Sequence, residues 1–226
     1  MPGLFATLVV SASCLFSATD PNMVGRNAVH PPLSPAAPYS VEGHRPDDRE
    51  DLYNQGIPFD EFLENAEKRR DRWLRNYENA RVDEDLLERA RAAKGTWRLL
   101  AVAVDSCSDS VSTIPFLARL VNQAPNLEMR IIDSNVGRAV MLDHPTPDGR
   151  SATPTIVLLN ESFEEVGCFV ERPATLQKWA TENKEKLTEN EYLKRKFAWY
   201  DEDAGRHTVE AIVELMEAAS NGKIGC

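Results

Sequence analysis

The stretch Trp97-Arg98-Leu99-Leu100-Ala101-Val102-Ala103-Val104, then Asp105-Ser106-Cys107-Ser108-Asp109-Ser110, then Val111-Ser112-Thr113-Ile114-Pro115-Phe116-Leu117-Ala118-Arg119-Leu120, decides how this chain is read. Its first part is apolar, Val-rich and of strand length, too short for a typical buried helix. Its last part sets Ile114, Leu117, Leu120 and Val121 at helical spacing. One cysteine lies between them, flanked by small polar residues suited to helix N-caps. A thiol there faces open amides and the positive end of a helix dipole, which favours the thiolate. It also stands at the carboxyl end of a buried strand, where α/β sheets bind ligands.

Downstream, Pro115 interrupts the helix pattern, which predicts a kink or a delayed regular part. Residues 127–133 read as a second strand with Met129 and Ile131 on one face, and residues 135–142 as a short helix. His144 falls in a turn-rich loop with Pro145, Pro147 and Gly149, and reads as a surface histidine. Residues 154–160 form a third strand with proline only at its first position. An antiparallel partner follows over 163–170 and holds Cys168, read as a buried structural thiol. Pro173 opens a helix with Leu176, Trp179 and Ala180 on one face. Two charged helices close the chain over 188–220, and the tail 221–226 is flexible by composition.

Upstream, Phe59, Phe62, Trp73 and Tyr77 recur at helical spacing and read as core packing. Asp83-Glu84-Asp85 opens a further helix that ends at Gly95, so 53–95 is a helical extension. Residues 20–52 are rich in Pro, Ser and charge and read as a linker holding His30 and His44. Residues 4–18 are apolar or small, like the core of a signal peptide, with Ser17-Ala18-Thr19 as a cleavage region. The basic start of such a peptide is missing, so 1–19 reads as a signal-like segment or an unstructured start. The protein is cytoplasmic or exported accordingly. The segment is too short for a stable transmembrane span.

The net charge of −10 argues against nucleic-acid partners, because phosphate neutralisation needs clustered Lys and Arg. The four cysteines, Cys14, Cys107, Cys168 and Cys226, match no zinc spacing, and the histidines are scattered. No metal or other cofactor is expected.

The order of strand, cysteine turn, helix with Pro115, strand, helix, Thr153-Pro154-Thr155 strand, hairpin strand and helix resembles the thioredoxin fold. The fold class this implies is a thioredoxin-like three-layer α/β/α sandwich over 96–187, with extra N-terminal and C-terminal helices. The resemblance implies a cis bond at Pro154 facing the reactive cysteine, with Thr153 and Pro154 aligning an extended substrate by strand addition. Cys107-Ser108-Asp109, Gly149-Arg150-Ser151, Arg172-Pro173 and Trp199-Tyr200 resemble a bacterial thioredoxin-like family with a Cys-Gly-Asp turn and a helical C-terminal extension.

The departures bear on activity. A dithiol oxidoreductase resolves its mixed disulfide with the second thiol of Cys-x-x-Cys. Here that position is Ser110, Ser106 replaces the usual Trp, and Ala101 replaces the acid six residues before the cysteine. The expected function is monothiol thiol–disulfide exchange at Cys107, on a protein disulfide or small thiol substrate. Ser110 would hydrogen-bond the sulfur, and an external thiol or Cys226 would resolve the product. Asp109 caps the helix, accepts the Cys107 proton, or holds a polar substrate. The alternative is a binding module without turnover that uses the groove beside Pro154. A thiol peroxidase is disfavoured, since no Thr or Arg pattern near Cys107 would activate peroxide.

Overall fold

Strand β1 (Trp97–Val102) lies inside a sheet of order β2-β1-β3-β4, with β2 Leu127–Ile132, β3 Thr155–Leu159 and β4 Glu165–Val170. The computed structural model describes residues 46–226. β1 and β2 run parallel, with Trp97 opposite Leu127 and Val102 opposite Ile132. β3 is antiparallel to both β1 and β4. The parallel pair requires a crossover, which is α5 (Ser110–Val121). The four-stranded sheet flanked by helices is a mixed α/β fold of the thioredoxin-like type.

Alternation along the strands divides the core into two layers. Leu99, Ala101, Met129, Ile131, Ile156 and Leu158 face Ile114, Leu117 and Leu120 of α5. The same layer takes in α3 (Arg70–Asn79), α4 (Glu84–Ala92) and α9 (Arg206–Ser220), through Trp73, Leu86, Leu87, Ile212, Val213 and Met216. Leu100, Val102, Ile132, Val157 and Leu159 point the other way, onto Tyr53 of α1 (Pro46–Gln55) and Val140 and Met141 of α6 (Arg138–Asp143). Helix α7 (Ala174–Asn183) follows Pro173, and α8 (Glu189–Asp203) starts with a Thr188–Glu191 capping box.

Three expectations change. The linker ends earlier than residue 52: helix α1 begins at Pro46, because Tyr53 has a sheet face to cover. The signal-like segment, the rest of the linker, His30, His44 and Cys14 lie outside the described residues. The aromatic helix splits into α2 (Phe59–Asn65) and α3, since Ala66 is extended and Arg69 is left-handed at φ 53°. Phe59, Phe62, Trp73 and Tyr77 still pack together across the break. The tail is also held. Gly225 pairs beside Gly167 on the edge of β4, and Cys226 forms a disulfide with Cys168. Glycine at 167 permits this approach, because a Cβ there would meet the Gly225 carbonyl at 3.1 Å.

Pro115 lies within α5. It has no N–H for the carbonyl of Val111, one turn earlier. The Asn76 side chain of α3 supplies the donor, Nδ2 to the Val111 carbonyl at 2.7 Å, in a buried position. Asn76→Leu leaves that carbonyl without its donor. We expect a loss of about 1–3 kcal/mol, read as a lower urea midpoint at unchanged slope.

Candidate functional site

Cys107 occupies the turn between β1 and α5. Its N–H donates to the Val104 carbonyl at 3.2 Å, and its carbonyl accepts from Val111 N at 3.1 Å, at the start of the helix. The turn is fixed from the N-terminal side. Asp105 Oδ2 accepts from the backbone N–H groups of Glu67 and Lys68 at 2.9 and 2.7 Å. The Asp105 carbonyl accepts from Trp73 Nε1 at 3.0 Å, and the Ser106 carbonyl from Arg69 Nε at 2.7 Å. The break between α2 and α3 therefore has a use: it presents backbone donors to the cysteine turn.

The Cys107 side chain is 2% exposed. Its thiol donates to the Thr153 carbonyl, 3.0 Å away, and the Thr153–Pro154 bond is cis. Cys107, Thr153 and Pro154 are thus brought together. Ser110 Oγ is buried without a hydrogen-bond partner, so it makes no hydrogen bond to the sulfur.

Asp109 does not cap α5 through its side chain. Its carboxylate turns to three other donors: Oδ1 accepts from Tyr200 Oη at 2.8 Å, and Oδ2 from Lys196 Nζ at 2.7 Å and Arg172 at 3.3 Å. A buried carboxylate gains more from two cations and a phenol than from one helix amide. Burial by itself would raise the Asp109 carboxyl. Lys196 and Arg172, with the Lys196 and Tyr200 hydrogen bonds, hold it below its usual range. Burial and the Asp109 charge push the Tyr200 phenol well above its ordinary value.

The network continues on both sides. Lys196 Nζ also donates to Ser108 Oγ at 2.8 Å. Arg172 pairs with Glu171 and donates to Tyr192 Oη at 3.0 Å, and Arg150 reaches Glu171 at 3.2 Å. The Glu171 N–H donates to the Pro154 carbonyl at 2.7 Å, so the same group of residues holds the strand end opposite the sulfur. Asp109, Glu171, Arg172 and Lys196 are all buried, and their charges cancel. Gly205, left-handed at φ 81°, lets the corner between α8 and α9 press against Phe116 of α5; a Cβ there would lie 2.1 Å from the ring. That approach accompanies the seating of Lys196 and Tyr200 beside the turn.

Lys196, Glu171 and Tyr192 were absent from the sequence-based reading, and Ser108, Arg172 and Tyr200 entered it only through the family resemblance. The signal that identifies Lys196 is its spacing: Tyr192, Lys196 and Tyr200 recur every four residues on one helix face. His144 is not a surface residue. Its side chain is 9% exposed, with Nδ1 on the Val140 carbonyl at 2.8 Å and Nε2 against Glu165. Cys168 is half-buried and disulfide-bonded rather than a buried thiol. Among the described residues no helix is long and apolar enough to cross a membrane.

A family model described as thioredoxin matches residues 56–186, more than half of the chain. No curated protein matches. Among solved structures, a protein of unknown function from Pseudomonas aeruginosa is similar at 22% identity and a TM-score of 0.60. That likeness covers 75% of this chain and 97% of the other. An HIV epitope-scaffold is similar at 21% identity and a TM-score of 0.58, over 75% and 97% of the two chains.

Proposed function

This chain belongs to the thioredoxin family, and we propose that it carries out monothiol thiol–disulfide exchange at Cys107. The observation that supports this is the sulfur 3.0 Å from the Thr153 carbonyl, beside Pro154. A substrate strand that pairs next to Thr153 and Pro154 brings its own disulfide to that sulfur. The Cys107 thiol gives its proton to solvent and attacks one sulfur of R–S–S–R′. The Cys107–S–S–R bond forms, the substrate S–S bond breaks, and R′–S⁻ leaves and is protonated. An external thiol then attacks the R sulfur, forms a new disulfide and restores Cys107. Ser110 stands where a dithiol enzyme has its second cysteine, and Cys226 is bonded to Cys168. The resolving thiol therefore comes from outside the fold.

Asp109 in this reading is the anchor that ties the turn to α8. Asp109, Arg150, Arg172 and Tyr200 fall in one connected network. This supports placing the chain with the single-cysteine, Cys-Gly-Asp-type branch.

A second reading, a binding module that uses the groove without turnover, is favoured by one observation: Cys107 is almost wholly buried with its thiol hydrogen-bonded. An aromatic disulfide separates the two. We expect the folded chain to form a mixed disulfide at Cys107, located by peptide mass spectrometry, with the signal absent in Cys107→Ser. A Cys107 that stays unmodified until denaturant is added removes the exchange reading and leaves the groove.

A further inference from the structure

A second cluster of metal-ligating groups lies apart from the Cys107 network. It joins the end of α6, the start of β4 and the tail. The N–H of Gly225 donates to the Val166 carbonyl at 3.2 Å, and the N–H of Cys168 to the Gly225 carbonyl at 3.1 Å. This pairing seats Cys226 beside Cys168, with Cα atoms 4.9 Å apart and the sulfurs bonded. One ring nitrogen of His144 and the two sulfurs all lie within 4.8 Å of one another. Glu165 Oε1 touches His144 Nε2 and lies 4.0 Å from Cys226 Sγ.

The surroundings have the form of a supporting shell. His144 Nδ1 is engaged by the Val140 carbonyl, which fixes the ring and sets Nε2 against Glu165. Glu165 Oε2 accepts from Arg49 Nε at 3.0 Å, and Arg49 also reaches Asp143 at 3.2 Å. The sequence separation of these residues hides the cluster from any spacing motif.

We propose that reduction of the Cys168–Cys226 disulfide turns this cluster into a site for one thiolate-preferring divalent cation of the zinc type. Cys168, Cys226, His144 and Glu165 supply the four donors. Two equivalents of an external thiol reduce the disulfide and leave as their own disulfide. The metal then displaces one proton from each cysteine into solvent. Two thiolates and one carboxylate against a divalent cation leave one negative charge, which the buried Arg49 guanidinium, shared with Asp143, offsets in part. Zinc–donor distances of roughly 2.0–2.3 Å require the donors to close in by side-chain rotation. Oxidised and metal-bound forms exclude each other, because the same two sulfurs serve both. The site is independent of Cys107, so it stands or falls separately from the exchange reading.

The test is a titration of the full-length chain with cobalt(II), then displacement by zinc(II), with the protein first reduced by a phosphine or first oxidised. The reduced chain is expected to bind one metal with a thiolate-to-cobalt charge-transfer band, and the oxidised chain none. Cys226→Ser, a change at an exposed residue, should weaken binding at least about 10-fold, as should His144→Gln. A reduced chain without the charge-transfer band overturns the proposal. So does binding of equal strength in Cys226→Ser or in the oxidised protein.

Discussion

Asp109→Asn is expected to lower stability by about 3–5 kcal/mol, the cost of breaking a buried ion pair from one side. The size follows from what remains. Lys196 and Arg172 keep their charges in the interior, and Glu171 offsets only one of them. Urea unfolding checks the value. The double variant Asp109→Asn with Lys196→Met removes one charge of each sign, and most of the loss should return. A double variant as unstable as the single one would mean that the carboxylate acts through geometry instead of charge. The pH profile adds an independent reading. The folded state holds Asp109 below the ordinary carboxyl range, so its stabilisation is complete above about pH 5 and is lost as the pH falls further. The acid limb of the wild-type stability curve should therefore be flatter in Asp109→Asn.

Trp73→Ala is expected to cost about 3–5 kcal/mol, as for other fully buried large aromatics. The indole is 0% exposed, packs against Phe59 and Phe62, and donates to the Asp105 carbonyl two residues before the cysteine. Trp73→Phe keeps a ring and loses the donor, so it should cost about 1–3 kcal/mol. The pair also separates packing from turn alignment. In Trp73→Phe the modification rate at Cys107 should change more than global stability does, because the lost bond holds the turn itself.

The sheet and the cysteine turn were legible because they are written locally. Apolar strands, Pro115 and Thr153-Pro154 each signal within a few residues. Even the helix break at Ala66 left the aromatic stripe intact, since both pieces bury the same rings. The site's electrostatics were not legible, for a physical reason. Asp109 meets its partners 63, 87 and 91 residues away, at Arg172, Lys196 and Tyr200. Local reasoning offered Asp109 the helix amides, the Cys107 proton or a polar substrate, all within a few residues of the turn or outside the chain. The fold offered it two cations instead. The tail misled in the same way: Gly, Lys and Asn suggest mobility, but Gly225 and Cys226 find an edge strand and a thiol 58 residues upstream.

The family match ends at residue 186, while Lys196 and Tyr200 sit on α8 beyond it. The part of this protein recognisable by descent and the part that is electrically self-sufficient thus have different borders. Trimmed to the matched stretch, the chain would keep every strand and the cysteine, yet Asp109 would lose its shortest cationic contact and its phenol. A helix substituted for α8 in this chain would have to bring a buried cation to Asp109 or come with a change at Asp109 itself.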